Sequence, residues 1–344
     1  LSALMHNVQV QLARQPEGNP KASDFQIVKT DLPKVAPGQF LARNIYLSLD
    51  PYMRGAIAGR HMGHQRLNQG DVIYGRCVAE VMESKHDGYK PGEHIVIESG
   101  WQQYYVSAGE AGDDIRKVDA ATAPLSTQLG ALGMPGLTAW AGVEKLANPA
   151  LGSSFVVSAA AGPVGGTAGQ LAKAKGCRAV GIAGSDEKCR IVVNEYGFDA
   201  CVNYKNKNWI DELKAACPNG VDTYFDNVGG PLLDAVTAQL NLYGKIVLCG
   251  LVSQYNRADG APGAGHNLGP FVGKRAQMFG LVVYDYYARM AEYHKAAVPL
   301  LKTGKLKFHE DRAEGLDKAP DHFVRLMAGA NTGKALVAIA PEKA

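Results

Sequence analysis

The sequence predicts an α/β protein of two domains, one mostly β and one built on a doubly wound parallel sheet. Three observations carry this reading. A glycine-rich loop stands between an apolar strand and an amphipathic helix near the middle of the chain. Strand and helix signals alternate from about Leu129 onward, whereas short strands follow one another across Pro/Gly turns before it. At 344 residues the chain is too long for one ordinary domain and suits two.

The first part, to about Thr127, reads as an irregular β domain. Pro37-Gly38 precedes a strand from Phe40 to Leu49, Gly70-Asp71 one from Val72 to Met82, and Pro91-Gly92 one from His94 to Ile97. Asp50-Pro51-Tyr52-Met53-Arg54 follows the longest of these and puts a tyrosine on a connection, where functional side chains concentrate. Asp-Pro also opens many turns and helices, so packing alone is the alternative role for Tyr52. His61-Met62-Gly63-His64 sets two imidazoles close together, but no third metal ligand clusters with them, which favours a polar loop.

Gly136-Leu137-Thr138-Ala139-Trp140 reads as a helix that opens the second part. Next comes the stretch Ser154 to Lys188. Phe155 to Ser158 suits a short buried parallel strand. Ala160-Ala161-Gly162-Pro163-Val164-Gly165 is a G-x-G-x-x-G loop with alanine in the first glycine's place. Pro163 fits the first helical position, where its missing N–H costs nothing. Val164, Ala168, Leu171 and Ala172 recur at helical spacing, Gly176 supplies the stop, and Cys177 to Ala183 completes a βαβ unit. Such a loop lets a dinucleotide pyrophosphate approach the backbone at the positive end of the helix.

The second strand decides which dinucleotide. An NAD site carries Asp or Glu at its end, to hold the ribose diol. Here the strand ends Ile182-Ala183-Gly184-Ser185, and Asp186 comes later, where it suits the first turn of the next helix. Lys188 lies in that turn and can reach a 2′-phosphate, so NADP is favoured over NAD, with a solvated helix lysine as the plain alternative. Further strands are expected near Ala200, Val221, Lys245 and Ala276, with helices at Asp186 to Tyr196, Trp209 to Cys217, Leu232 to Leu240 and Tyr286 to Lys302. Ligands in such sheets bind beyond the carboxyl ends of the strands. Asn227 with the Val228-Gly229-Gly230 turn, Cys249-Gly250, and Ser253 to Asn256 with the Gly/Pro-rich loop after it therefore share one crevice. The tail, through Asn331-Thr332-Gly333-Lys334, is expected to fold back on the first domain and bring Asn331 beside that crevice.

Composition narrows the function class. Apolar residues make up 46% and charged residues 20%, ordinary for a chain with substantial cores. A net charge of +3 without a basic run argues against nucleic acid, and no apolar segment has membrane length. No secretory signal is visible at the start. The six cysteines are scattered, without zinc-lobe spacing, so a reducing cytoplasm is the expected home and small core residues the expected role.

The motifs, taken in order, resemble those of the zinc-independent medium-chain dehydrogenase/reductases, in the prostaglandin reductase and 2-alkenal (curcumin-type) reductase branch. YLSLDPYMRG (46–55), MPGLTAW (134–140), AAAGPVG (159–165), KGCRAVGIAGSDEK (175–188), DNVGG (226–230), CGLVSQYN (249–256), VYDY (283–286) and NTGK (331–334) carry the resemblance. It implies a GroES-like β-barrel catalytic domain from residues 1–128 and 308–344 around a Rossmann NADPH-binding domain at 129–307. It also implies a homodimer that uses no metal and reduces the carbon–carbon double bond of α,β-unsaturated ketones and aldehydes. Gly162, Val164 and Gly165, with Pro163, then hold the pyrophosphate. Ser185, Lys188 and Tyr204 surround the 2′-phosphate. Asn227, Leu281, Val283 and Asn331 flank the nicotinamide, with Thr138 and Cys249 also among the cofactor contacts. Tyr255 lies beside the nicotinamide ribose and the substrate oxygen, and Tyr52, Met134 and Tyr286 line the substrate pocket. Leu281 stands where relatives often carry Phe, and the loop from Ala56 to Asn68 matches no pattern of the branch.

That resemblance makes Tyr255 and Tyr52 the catalytic candidates. A neutral phenol near the carbonyl oxygen can stabilise an enolate or donate its proton. Two rival readings are a quinone oxidoreductase and an NADPH-binding protein without catalysis.

Overall fold

The computed structural model describes residues 6–110, 115–257 and 265–342; the glycine- and proline-rich loop expected after Asn256 lies largely outside them. In the first part, His6–Leu12 (β1) pairs antiparallel with Phe25–Asp31 (β2), and its alternation turns Val10 and Leu12 inward. The apolar run Phe40–Ser48 (β3) is buried along nearly its whole length. Asp50-Pro51 ends it, and Tyr52 caps a short helix, Met53–Ile57 (α1). Cys77–Ser84 (β4), His94–Ile97 (β5), Tyr104–Ser107 (β6) and Arg116–Val118 (β7) follow. The strand expected from Val72 begins only at Cys77. A Cβ at Gly75 would stand 2.6 Å from Leu47 and 2.7 Å from Trp101, so residues 72–76 pack on core side chains rather than extending the strand.

From Met134 the chain changes character. Met134–Trp140 (α2) runs on into a π-helical segment, Ala141–Ala147, that closes at Asn148 with φ of 39°. Strands and helices then alternate: Ser154–Ser158 (β8), Pro163–Ala174 (α3), Arg178–Ala183 (β9), Asp186–Asn194 (α4), Ala200–Asn203 (β10), Trp209–Ala216 (α5), Val221–Asp226 (β11), Gly230–Thr237 (α6), Leu240–Leu248 (β12), Gly269–Lys274 (α7) and Gln277–Gly280 (β13). The expected helix at 286–302 divides in two, a 3₁₀ segment Val283–Arg289 and then Met290–Lys302 (α8). Glu310–Glu314 (β14), Ala319–Met327 (α9) and Lys334–Ala338 (β15) complete the chain.

The chain divides into two compact units, one made of residues 1–129 with 310–344 and the other of residues 130–309. In the first, the order β14-β15-β3-β4-β5-β7 forms one sheet, with β6 also on β3. The tail returns to this unit because β15 pairs antiparallel with β3. In the second, six parallel strands run β10-β9-β8-β11-β12-β13. Numbered within the unit this is 3-2-1-4-5-6, the doubly wound order whose reversal lies between its first and fourth strands. Val156, Val180, Ile182, Tyr224 and Ile246 fill its core.

One buried ion pair ties the tail to the connection after β3. Lys334 Nζ lies 2.8 Å from Asp50 Oδ1 and donates to the Leu49 carbonyl at 2.6 Å, and Ser48 Oγ donates to Asp50. Lys334 and Asp50 are 3% and 5% exposed. Burial pulls the Lys334 amine below its ordinary value, with Asp50 working against that. Removing one partner leaves the other charge buried alone. Lys334→Met should therefore cost about 3–5 kcal/mol in urea unfolding. A loss below about 1 kcal/mol, the scale of a surface pair, would show that the tail is held by strand pairing alone.

Candidate functional site

The second unit assembles most of the expected positions at the carboxyl ends of its strands. β8 ends at Ser158, and Gly162 is the residue preceding the helix that begins at Pro163. Gly165 faces the loop closely, since a Cβ there would stand 2.4 Å from the Ala159 carbonyl oxygen. Side chains are thus excluded where the first turn of α3 opens, and its N–H groups, lacking intrahelical acceptors, are available to an anion. Val164 is half-buried, whereas Ala168, Leu171 and Ala172 face the core. Further along α3, a Cβ at Gly169 would fall 1.9 Å from the Phe198 ring, which is why this helix carries small residues.

Gly184, Ser185, Lys188 and Tyr204 gather at the end of β9. Ser185 is the N-cap of α4, its Oγ accepting from the Lys188 N–H at 3.2 Å. The Tyr204 N–H donates to the Ala183 carbonyl at 3.1 Å, and its ring lies 3.3 Å from where a Gly184 Cβ would be. Asp186 is engaged by Asn203 Nδ2 at 2.8 Å. The end of β9 therefore carries a hydroxyl and an aromatic ring, with a lysine in the first turn of α4 and no carboxylate on the strand end itself. These features fit a 2′-phosphorylated dinucleotide.

A carboxylate that sequence reasoning passed over organises the middle of the sheet. Asp226, fully buried, ends β11. Its Oδ1 accepts from Ser158 Oγ at 2.9 Å, Tyr224 OH at 2.8 Å and the Val228 N–H at 2.9 Å, while the Gly229 N–H reaches both oxygens at 3.1 and 3.0 Å. Gly229 turns at φ of 71°, a conformation that favours glycine. Asn227 is fixed in consequence, with its N–H on Ser158 Oγ and its Nδ2 on the Ser158 carbonyl, both at 2.9 Å. The D-N-V-G-G motif was the available signal: an acid at the end of a buried strand, followed by amides free to turn toward it.

Tyr255 follows a 3₁₀ turn, Val252–Gln254, and its hydroxyl accepts from the Leu251 N–H at 3.3 Å. That oxygen also lies 3.2 Å from where a Gly250 Cβ would stand. Burial raises the phenol above its ordinary value, so it is neutral at physiological pH. Cys249 beside it is no nucleophile, because burial pushes its thiol up to about 12. Thr138 Oγ1 donates back to the Met134 carbonyl at 2.7 Å, coupling those two positions on α2. Leu281 is buried against Gly142, so its side chain serves the core, while Val283 and Tyr286 are half-buried on the 3₁₀ segment.

In the first unit Tyr52 stands in a ring cluster that the sequence reading did not assemble. Its centroid lies 4.7 Å from that of His61 and 5.7 Å from that of His64, and Tyr74 meets His64 edge-on at 4.7 Å. His64 Nδ1 faces the Met62 carbonyl at 3.1 Å and Nε2 faces Glu98 Oε1 at 3.4 Å, with Arg76 3.8 Å from the same carboxylate. Two acceptors on one imidazole favour its doubly protonated form. Asn331 stands elsewhere in this unit, donating to the Gly333 carbonyl at 2.9 Å. Among the described residues no three His, Cys, Asp or Glu side chains are grouped to hold a metal ion.

The Glu98 hydrogen bond raises His64. Burial works to raise Glu98, but the bond from His64 and the charge of Arg76 outweigh it and hold the carboxyl below its usual range. The raised His64 contributes stability in full below its unfolded pKa of about 6.5 and loses it as pH rises through the folded value. The depressed Glu98 contributes above its unfolded pKa of about 4.3 and loses it as pH falls. The stability difference between wild type and His64→Asn should therefore peak between about pH 4.3 and 6.5. A difference flat across pH 4–8 in urea titrations would mean that the pair is not ionic.

Comparison with known proteins accords with this geometry. Residues 8–115 match a family described as the N-terminal domain of oxidoreductase, and residues 163–303 one described as zinc-binding dehydrogenase. The NADPH-dependent curcumin reductase of Escherichia coli is 39% identical over 333 residues, which is 96% of each chain. The NADP(+)-dependent 2-alkenal reductase of Nicotiana tabacum is 39% identical over 345 residues, 98% of each chain. The crystal structure of CurA from Vibrio vulnificus in complex with NADPH superposes with a TM-score of 0.90 at 37% identity, covering 97% of this chain and all of that one. The chain belongs to the medium-chain dehydrogenase/reductases, in the branch of the curcumin, 2-alkenal and prostaglandin reductases.

Proposed function

We propose that this protein reduces the carbon–carbon double bond of α,β-unsaturated ketones and aldehydes with NADPH, by hydride transfer to the β-carbon. The observation that carries the cofactor choice is the end of β9, where Gly184 and Ser185 replace a carboxylate and Lys188 and Tyr204 stand beside them. The reaction class follows from relatives named for curcumin, 2-alkenal and pulegone reduction at 36–39% identity.

In this reading the first turn of α3, from Pro163 to Gly165, receives the pyrophosphate, while Ser185, Lys188 and Tyr204 hold the 2′-phosphate. Asn227 and Val283, with Thr138, Cys249 and the Leu281 backbone, are the second unit's candidates for the nicotinamide side, and Asn331 is the first unit's. Bound NADPH supplies the hydride from C4 of its nicotinamide. Tyr255 then acts on the substrate carbonyl oxygen: its neutral phenol stabilises the enolate charge or gives up its proton to it. Met134 and Tyr286 are the second unit's candidates for orienting the substrate, and Tyr52 is the first unit's.

The same reading includes a homodimer. β13 is an edge strand, and Met278 on it, with Leu268 and Val272 on and before α7, is an exposed apolar side chain. An edge of this kind is suited to pairing with a symmetry mate. Six free thiols suit a reducing cytoplasm.

NADPH oxidation against enones, enals and quinones tests the reaction. Faster turnover on enones and enals is expected, and a clear preference for quinones would overturn it. Lys188→Ala should weaken NADPH by about 1.5–3 kcal/mol, the range for a hydrogen bond to a charged group, and leave NADH nearly unchanged. Equal losses for both cofactors, measured by fluorescence titration, would show that the change acts through folding. Tyr255→Phe should lower kcat by roughly 10- to 1,000-fold while NADPH affinity changes far less. Intact kcat with collapsed NADPH affinity would make Tyr255 a cofactor anchor only.

A further inference from the structure

Two cysteines meet beneath the end of β9. Cys189 is on the first turns of α4, directly after Lys188, and its N–H donates to the carbonyl of the capping Ser185 at 3.0 Å. Cys201 lies on β10, opposite Gly181 of β9 in the parallel register. The Cys201 and Val192 side chains fill the space over Gly181: a Cβ there would stand 3.1 Å from Cys201 Sγ and 2.9 Å from Val192 Cγ1. Cys201 thus reaches over β9 toward α4, on the side of Val192, and Cys189 lies three residues before Val192 on the same helical face. There the Cys189 and Cys201 side chains are hydrogen-bonded to each other.

We propose that Cys189 and Cys201 form a reversible disulfide on exposure to a peroxide, and that its closure weakens binding of a 2′-phosphorylated nucleotide at Ser185 and Lys188. The effect on the nucleotide rests on the reading of that subsite given above; formation of the disulfide does not.

The chemistry is set by the pair. The hydrogen bond with Cys201 lowers the Cys189 thiol below its ordinary value, and a backbone hydrogen bond at Ala183 adds to this, against burial and the charges of Asp186 and Glu212. Cys201 is raised by the same contact and by burial. Cys189, on a helix whose only buried residue is Val192, is the attacking thiolate, and Cys201, on the strand beneath it, the resolving thiol. The thiolate attacks one peroxide oxygen, the O–O bond breaks, and Cys189 becomes a sulfenic acid as hydroxide leaves. The Cys201 sulfur then displaces the sulfenic hydroxyl, and its proton leaves in water. Two thiols and one hydrogen peroxide thus give one disulfide and two waters. Both cysteines are partly exposed, so a small peroxide can reach them. Covalent closure draws the first turns of α4 toward β10 and moves the turn that carries Ser185 and Lys188.

The test treats the full-length protein with hydrogen peroxide, then reads free thiols, a tryptic map and nucleotide binding. A peptide linking Cys189 to Cys201 is expected. The NADPH dissociation constant should rise at least roughly tenfold, return on reduction with dithiothreitol, and stay constant for NADH. Cys189→Ser and Cys201→Ala should each bind NADPH as the reduced wild type does and ignore peroxide. Sulfinic acid at Cys189 without a linked peptide, or a linked peptide with unchanged NADPH affinity, would overturn the proposal. Should Lys188→Ala leave NADPH affinity intact, the 2′-phosphate reading fails, whereas a linked peptide still supports the disulfide.

Discussion

The Rossmann unit depends on one buried charge. Asp226 lies inside the sheet, and an unpaired carboxylate there would cost several kcal/mol. It is kept by donors from three places: a hydroxyl from β8, a phenol from its own strand, and the amides of the turn that follows. Its carbonyl also accepts from the Cys249 N–H at 2.9 Å, so the end of β12 is drawn in as well. The three strands nearest the topological switch therefore end at fixed positions relative to one another. The orientation of Asn227 follows from that, and so does the path of the chain toward Tyr255. A rigid strand-end framework of this kind is what a reaction demanding sub-ångström placement of two reactants requires.

The proposed site of nucleotide choice is built elsewhere in the unit and by different means. The end of β9 relies on small residues, so a Tyr204 ring can lie over Gly184 and Ser185 can cap α4. In the proposed reading, selectivity there is a matter of what is missing, a carboxylate, as much as of what is supplied. The other unit uses charge in the opposite way. Lys334 and Asp50, distant in sequence, are buried together, and their pairing joins the final strand to the connection bearing Tyr52. The Y-L-S-L-D-P-Y-M-R-G and N-T-G-K motifs are thus two halves of one structural contact.

The βαβ unit was legible in sequence because its signals are local. An apolar strand, glycines, Pro163 at the first helical position and Gly176 past the end all act within a few residues, and the helix runs Pro163–Ala174. Strand starts were legible where periodicity is clean. β12 was read from Lys245 although it begins at Leu240, because its ladder with β11 shifts register after Leu240 and resumes at Lys245. The Ser158–Asp226 bond, the His64–Glu98 pair and the Lys334–Asp50 pair were not legible, since each joins residues whose proximity only the tertiary fold creates. Tyr52 was noticed for its place on a connection, but its imidazole neighbours were read as a loop. Thr138, Met134 and Tyr286 came only from resemblance to the family, as no local pattern marks them.

The central claim, hydride transfer to the β-carbon of an enone, is tested most directly by isotope. NADPH deuterated at C4 of the nicotinamide, on each face in turn, would be supplied with an enone and the product analysed by NMR. One of the two labelled cofactors should place deuterium on the β-carbon of a saturated ketone whose carbonyl is intact. Deuterium on the carbonyl carbon of an allylic alcohol would contradict the account.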